Sequence, residues 1–133
     1  MKIVLDTNVL VSGVFWGGLP EKILESVVAG DVVLYASQDM VREYFRILDK
    51  IGKKNADLIG QWKILLIELI KIVEPKVKIK SCRDACDNMF LECAVTATAQ
   101  YIISGDDDLL SMKEINGIQI VTPREYLNTN KKR

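Results

Sequence analysis

Short apolar runs alternate along this chain with longer stretches whose apolar residues recur at helical spacing. KIVL (2–5), VVLYA (32–36), YIIS (101–104) and IQIV (118–121) are apolar at successive positions, the mark of strands covered on both faces. The helical stretches lie between and after them. Pro20 opens the first, Glu21 sits in its first turn, and Ile23, Leu24, Val27 and Val28 form its apolar stripe before Gly30. Ser37 caps a second, over 38–51, whose stripe is Met40, Val41, Tyr44, Phe45 and Leu48. A third spans 56–72 after Asn55, with Leu58, Ile59, Trp62, Leu65, Leu66, Leu69 and Ile70 on one side. A fourth, near 86–99, carries Phe90, Leu91, Ala94, Val95 and Ala97. Thr122-Pro123 begins a short last helix ending at Leu127.

The remaining segments read as connections. Gly13, Gly17 and Gly18 mark a loop after the first strand, EPKVKIK (74–80) an extended surface link, and Asn116-Gly117 a turn. Strands alternating with helices predict an α/β fold, a central parallel sheet with helices on both sides. Residues 1–127 form one domain and 128–133 a polar basic tail.

Charge and composition narrow the chemistry. Lys plus Arg equals Asp plus Glu at 18 each, which argues against nucleic-acid binding through bulk charge. The most apolar stretch, ILLIELIKIV (64–73), is interrupted by Glu68 and Lys71, so no membrane span is expected. MKIVLDTNVLVS reads as a strand start rather than a signal peptide, and a cytoplasmic location follows as an expectation. Cys82, Cys86 and Cys93, with no histidine anywhere, make neither a zinc tetrad nor a disulfide framework; buried reduced thiols are expected. Histidine-dependent nucleophilic catalysis is excluded.

The acids then stand out. Two apolar strands end in carboxylates, KIVL at Asp6 and YIIS-Gly105 at Asp106. In a parallel sheet those ends share one edge, where ligands bind. Asp87 and Glu43 each border an apolar helical stripe and can project over that edge. Two unit charges ~4 Å apart repel by about 1 kcal/mol in water and about 4 kcal/mol at an effective dielectric of ~20. A hard divalent cation with oxygen ligands removes that conflict. Each acid also has a simpler explanation: an Asx-turn for Asp6, solvation for Glu43, a helix cap for Asp87, turn and cap chemistry within Asp106-Asp107-Asp108.

IVLDTNVLVSG, SQDMVREYFRIL, CRDACDNMFLECAVTATAQYIISGDDDLL and IVTPREYL together resemble the PIN-domain family over nearly the whole chain. The last two stretches look most like the branch of toxin components of toxin–antitoxin pairs, the VapC-like ribonucleases. The resemblance implies a three-layer α/β/α domain and an endoribonuclease dependent on Mg²⁺ or Mn²⁺. It implies Asp6, Glu43, Asp87 and Asp106 as catalytic and metal-holding acids, Asp108 as an accessory metal position, and Asn8 and Ser104 as polar supports of the first acid. Asp84 falls outside the metal shell on this pattern, and Asp107 is solvated. The branch often has Pro where this chain has Ala85, which touches no acid.

The substrate implied is RNA, single-stranded or looped because an A-form duplex hides its base edges. Arg42, Arg46, Lys50, Lys53, Lys54 and Lys131 to Arg133 are candidates to hold it. A small protein antitoxin is the expected partner, and the Leu/Ile face of 58–70 is either core or a homodimer surface. Two rivals remain. In a haloacid-dehalogenase-like phosphatase Asp6 would be the nucleophile, but that class wants an acid where this chain has Asn8. A non-catalytic domain would bind RNA or protein through the same edge.

Overall fold

A computed structural model describes residues 1–82 and 84–130. In chain order the elements are β1 (Lys2–Leu5), α1 (Thr7–Phe15), α2 (Gly18–Val28), β2 (Val33–Ala36), α3 (Gln38–Ile51), α4 (Ala56–Leu69) and β3 (Lys71–Ile72). A 3-10 turn (Ala85–Asp87) then leads into α5 (Asn88–Ala97), β4 (Tyr101–Ile103), α6 (Asp107–Leu110), β5 (Glu114–Ile115), β6 (Ile118–Val121) and α7 (Pro123–Asn130). The strands form one six-stranded sheet in the order β3-β2-β1-β4-β6-β5. Every neighbouring pair is parallel except β5 with β6.

The order locates the site. From β1 the chain winds outward through β2 to β3, then returns to β4 on the other flank of β1. That reversal is a topological switch point, and its crevice opens beyond the carboxyl ends of β1 and β4. Register pairs Leu5 with Ile103, so Asp6 and Ser104 leave the sheet side by side. Right-handed crossovers in opposite directions put helices on both faces. α2 packs on α1 and α7, α7 lies on β4 and β6, and α5 lies on β1, β2 and β4. Ile3, Leu5, Leu34, Leu91 and Ile102 are among the fully buried side chains between them.

Several expectations need correction. Residues 7–15 are helical rather than a loop. Gly13 is there for contact: a Cβ on it would sit 2.6 Å from Leu24 Cδ1 and 3.0 Å from the Pro20 carbonyl, so α1 and α2 approach closely at this point. The chain breaks at Gly17 and Gly18, both with φ of 70°. α4 stops at Leu69, and Lys71–Ile72 form a short edge strand where helix was expected. On α4, Ile59 and Leu66 are buried and Trp62 is packed against the core, but Leu58, expected on the inner face, is exposed. Asn116 and Gly117, with φ of 50° and 81°, turn β5 into β6 as a hairpin. Thr122 and Glu125 cap α7 reciprocally, and the helix runs to Asn130, past the expected end at Leu127. Lys131 to Arg133 lie outside the described residues. Cys82 and Cys93 are buried, whereas Cys86 is exposed. No described helix is long and apolar enough to cross a membrane.

Candidate metal centre

Asp6 ends β1 and caps α1. Its Oδ1 accepts the Val9 N–H at 2.8 Å, and its Oδ2 accepts a short hydrogen bond from the Ser104 hydroxyl. The residue is only 4% exposed. Burial pushes its carboxyl above the usual range, against the lowering effect of the Ser104, Val9 and Gly105 hydrogen bonds.

Asp106 mirrors it at the end of β4. Its carboxylate caps α6 by accepting the Asp108 N–H at 3.0 Å. Its own N–H donates to Ser104 Oγ at 2.9 Å. Ser104 is fully buried and therefore works in both directions, accepting from Asp106 and donating to Asp6. One hydroxyl ties the two strand-end acids together. Of the three aspartates to which turn and cap chemistry was open, Asp106 makes the cap.

Asp87 arrives from another direction, at the junction of the 3-10 turn with α5. Its side chain makes no cap, contrary to the simpler explanation. Burial first, then a shared hydrogen bond with Asp106 and the charges of Asp106, Asp84 and Asp6, raise its pKa to about 7. Asp87 therefore holds its proton to higher pH than an ordinary carboxyl, which offsets part of the repulsion. The buried Cys82 thiol donates to Asp87 Oδ2 at 3.9 Å, a long contact even for sulfur.

Glu43 is half-buried on α3, whose Tyr44 hydroxyl donates a short bond to the Leu5 carbonyl and so pins the helix to the end of β1. Arg46 Nη2 pairs with Glu43 Oε1 at 2.6 Å, and Arg42 pairs with Asp39 at 2.9 Å. Arg42 and Arg46, both proposed as RNA contacts, are thus engaged by acids of their own helix.

These acids open on one cleft of about 350 Å³. Asp6, Glu43, Asp87 and Asp106 line it together with Thr7, Asn8, Arg46, Asp84 and Cys86. Asn8 is exposed on its wall, and the bond that supports Asp6 comes from the Val9 N–H and Ser104. Asp108 is absent from the wall, but one carboxylate oxygen each of Asp84, Asp87 and Asp108 lies within 4.8 Å of the others. Asp84 was expected outside this group. It faces the acids because its Oδ1 accepts the Cys86 N–H, folding the chain into the 3-10 turn. Thr7 was also missed: its Oγ1 is buried without a hydrogen-bond partner among the described residues, beside Asp6. A larger cavity, about 560 Å³, lies by Gln100, Tyr101 and Ile118 at the amino ends of β4 and β6, but no carboxylate lines it.

The donor set is entirely oxygen, anionic and crowded enough to raise the pKa of Asp87 to about 7. Those properties fit a hard divalent cation such as Mg²⁺ or Mn²⁺, which would replace the Asp87 proton.

Comparisons with known proteins agree with this geometry. The family model for the PIN domain matches residues 2–108. An uncharacterized protein of Methanocaldococcus jannaschii, MJ1680, is 33% identical over 144 aligned positions, which cover 96% of this chain and 90% of that protein. Among solved structures, the crystal structure of VapBC2 from Rickettsia felis bound to a DNA fragment from their promoter superposes with a TM-score of 0.61. That match has 16% identity and covers 90% of this chain and 97% of the other. An α/β fold built on a mostly parallel sheet, strand-end acids at its switch point and the family match together make this chain a member of the PIN-domain family.

Proposed function

We propose that this protein is an endoribonuclease dependent on Mg²⁺ or Mn²⁺ that hydrolyses RNA phosphodiester bonds. The observation that carries the proposal is the Ser104 bridge, which fixes Asp6 and Asp106 at one cleft facing the proton-holding Asp87. Asp6, Asp87 and Asp106 would hold the cation, with Glu43 direct or through water and Asp84 and Asp108 on its flank. A bound divalent ion supplies an activated water and neutralises charge on the phosphate. Ser104 keeps Asp6 oriented, and Asp87 gives up its shared proton when the ion binds. Hydrolysis in line would leave a 5′-phosphate and a 3′-hydroxyl.

The structural likeness to VapBC2 supports the finer reading of a toxin with a small protein antitoxin, whose Arg or Lys would enter the acidic cleft. The exposed Ile64 and Ile67 of α4 are the apolar surface a homodimer would cover. The family match sets the phosphatase alternative aside.

The test is RNA cleavage with and without Mg²⁺ or Mn²⁺, wild type against Asp6→Asn, with the ends mapped. Metal-dependent cleavage lost in Asp6→Asn supports the proposal. Wild-type cleavage by a folded Asp6→Asn protein sinks it, and a wild type that binds Mn²⁺ and RNA without cleaving is the non-catalytic domain.

A further inference from the structure

The segment before the 3-10 turn was read from sequence only as a surface link. It is pinned to α5 by three backbone N–H groups that donate to side chains of the helix. The Lys76 N–H donates to Thr96 Oγ1 at 3.2 Å, the Ile79 N–H to Glu92 Oε2 at 2.9 Å, and the Cys82 N–H to Asn88 Oδ1 at 3.0 Å. Thr96, Glu92 and Asn88 are one helical turn apart, so they form a single acceptor row on α5. The strap therefore runs antiparallel to the helix and ends where Asp84 and Asp87 enter the cleft. Ile79 packs against the core.

Lys76, Lys78 and Lys80 are exposed along this strap. None of the three forms an ion pair among the described residues, while Arg42, Arg46 and Lys63 all do. The nearest acid on α5, Glu92, is turned onto the Ile79 N–H. Alternate residues of such a strap lie no more than roughly 6–7 Å apart, the limit set by a fully extended chain. That is close to the step between successive phosphates of an extended single strand. Three uncompensated ammonium groups at such spacing repel one another, which costs stability unless a polyanion lies across them.

We propose that Lys76, Lys78 and Lys80 form a rail for the sugar-phosphate backbone of single-stranded RNA and deliver it to the acidic cleft. This inference rests on the ribonuclease proposal for the identity of the polymer. The cleft by itself repels a polyanion. A positive row on the strap that leads to it offsets that repulsion, and once a divalent cation fills the cleft only a ligand that carries phosphate gains from both. An acidic protein segment would gain from the row alone.

The experiment is fluorescence anisotropy of a labelled single-stranded RNA oligonucleotide in EDTA over a salt series, so that no cleavage occurs. Wild type is compared with K76Q/K78Q/K80Q, with K76R/K78R/K80R, and with the control K22Q/K113Q/R124Q, three exposed cations given no part in RNA binding. Each lost phosphate contact removes about 0.7 from the slope of log affinity against log salt, so the glutamine rail variant should lose about 2 in slope. Its Kd should rise about tenfold or more at ~0.1 M salt, while the arginine rail and the control stay near wild type. An unchanged slope overturns the rail, as does an equal loss in the control or no RNA binding by wild type. Displacement of the RNA by polyglutamate of matched charge as readily as by unlabelled RNA overturns the nucleic-acid assignment in favour of an acidic protein. Metal-dependent cleavage in the parallel assay separates the two proposals. Cleavage with an unaffected rail variant removes only the rail, and rail-dependent binding without cleavage removes only the ribonuclease.

Discussion

The two sides of the cleft are built differently. On the strand side, Asp6 and Asp106 are locked by hydrogen bonds: each caps a helix, and both share Ser104. On the helix side, Asp87 makes no cap, Glu43 leans on Arg46, and Asp84 spends one oxygen on the Cys86 N–H. The strand side is preorganised without any ion. The helix side is held in tension by like charges and a retained proton. A site of this kind has half its geometry set by backbone register and half left for a cation to pull into place.

The largest expected effect comes from breaking the strand side. Asp6→Asn keeps the cap on α1, because Asn is an equally good N-cap, so the thermal midpoint should stay within a few degrees. RNA cleavage in Mn²⁺ should nonetheless fall by orders of magnitude. Ser104→Ala should come next. It removes a positioning residue and leaves Asp6 Oδ2 buried without its donor, a loss of about 1–3 kcal/mol in stability. Mn²⁺ affinity should drop roughly 10–100-fold, read by isothermal titration calorimetry, as is usual when the partner that orients a metal ligand is lost. Thermal melts and titration together distinguish this from simple unfolding.

Breaking the helix side should do the reverse for stability. The Asp87 carboxyl titrates near 4 in the unfolded chain and at about 7 in the fold. Between those values the fold keeps a proton that the unfolded chain has lost, so the metal-free protein loses stability as pH rises from about 4 to about 7. Asp87→Asn should abolish this fall, raising the midpoint by about 3–6 °C at pH 8 in EDTA and hardly at all at pH 4.5. A pH profile identical to wild type would contradict the charge-loaded side. The smallest effect is expected at Glu43→Gln. Glu43 has an arginine partner and remains partly exposed, so its loss should cost well under 1 kcal/mol of stability and weaken Mn²⁺ binding less than Ser104→Ala does.

The same division explains what was legible in the sequence. β1 and β4 announce themselves as apolar runs, and an acid at the end of each is visible because strand ends in a parallel sheet converge. Ser104 and its neighbours came with them. Glu43 and Asp87 were reachable because each borders a periodic apolar stripe. Asp84 was not, since no hydrophobic period runs through the strap and the 3-10 turn that aims it. α1 was misread because Gly13 signals a breaker in sequence, although in the fold it serves a helix–helix contact with Leu24. β3 and β5 have two residues each, too short for any period to register. The vacancy at Thr7 Oγ1 depends on what packs around it, which no local pattern encodes.

The Ser104 bridge also sets when the cleft comes into being. Asp6 leaves the ribosome before its partner hydroxyl, which follows 98 residues later. β4 must pair with β1 before that hydroxyl can meet both acids. A slip of one residue between β1 and β4 would send Ser104 to the opposite face of the sheet. Correct strand registration thus acts as a safety catch. A nascent or misaligned chain has its acids but not their alignment, and whatever this cleft does begins only once the centre of the sheet has closed.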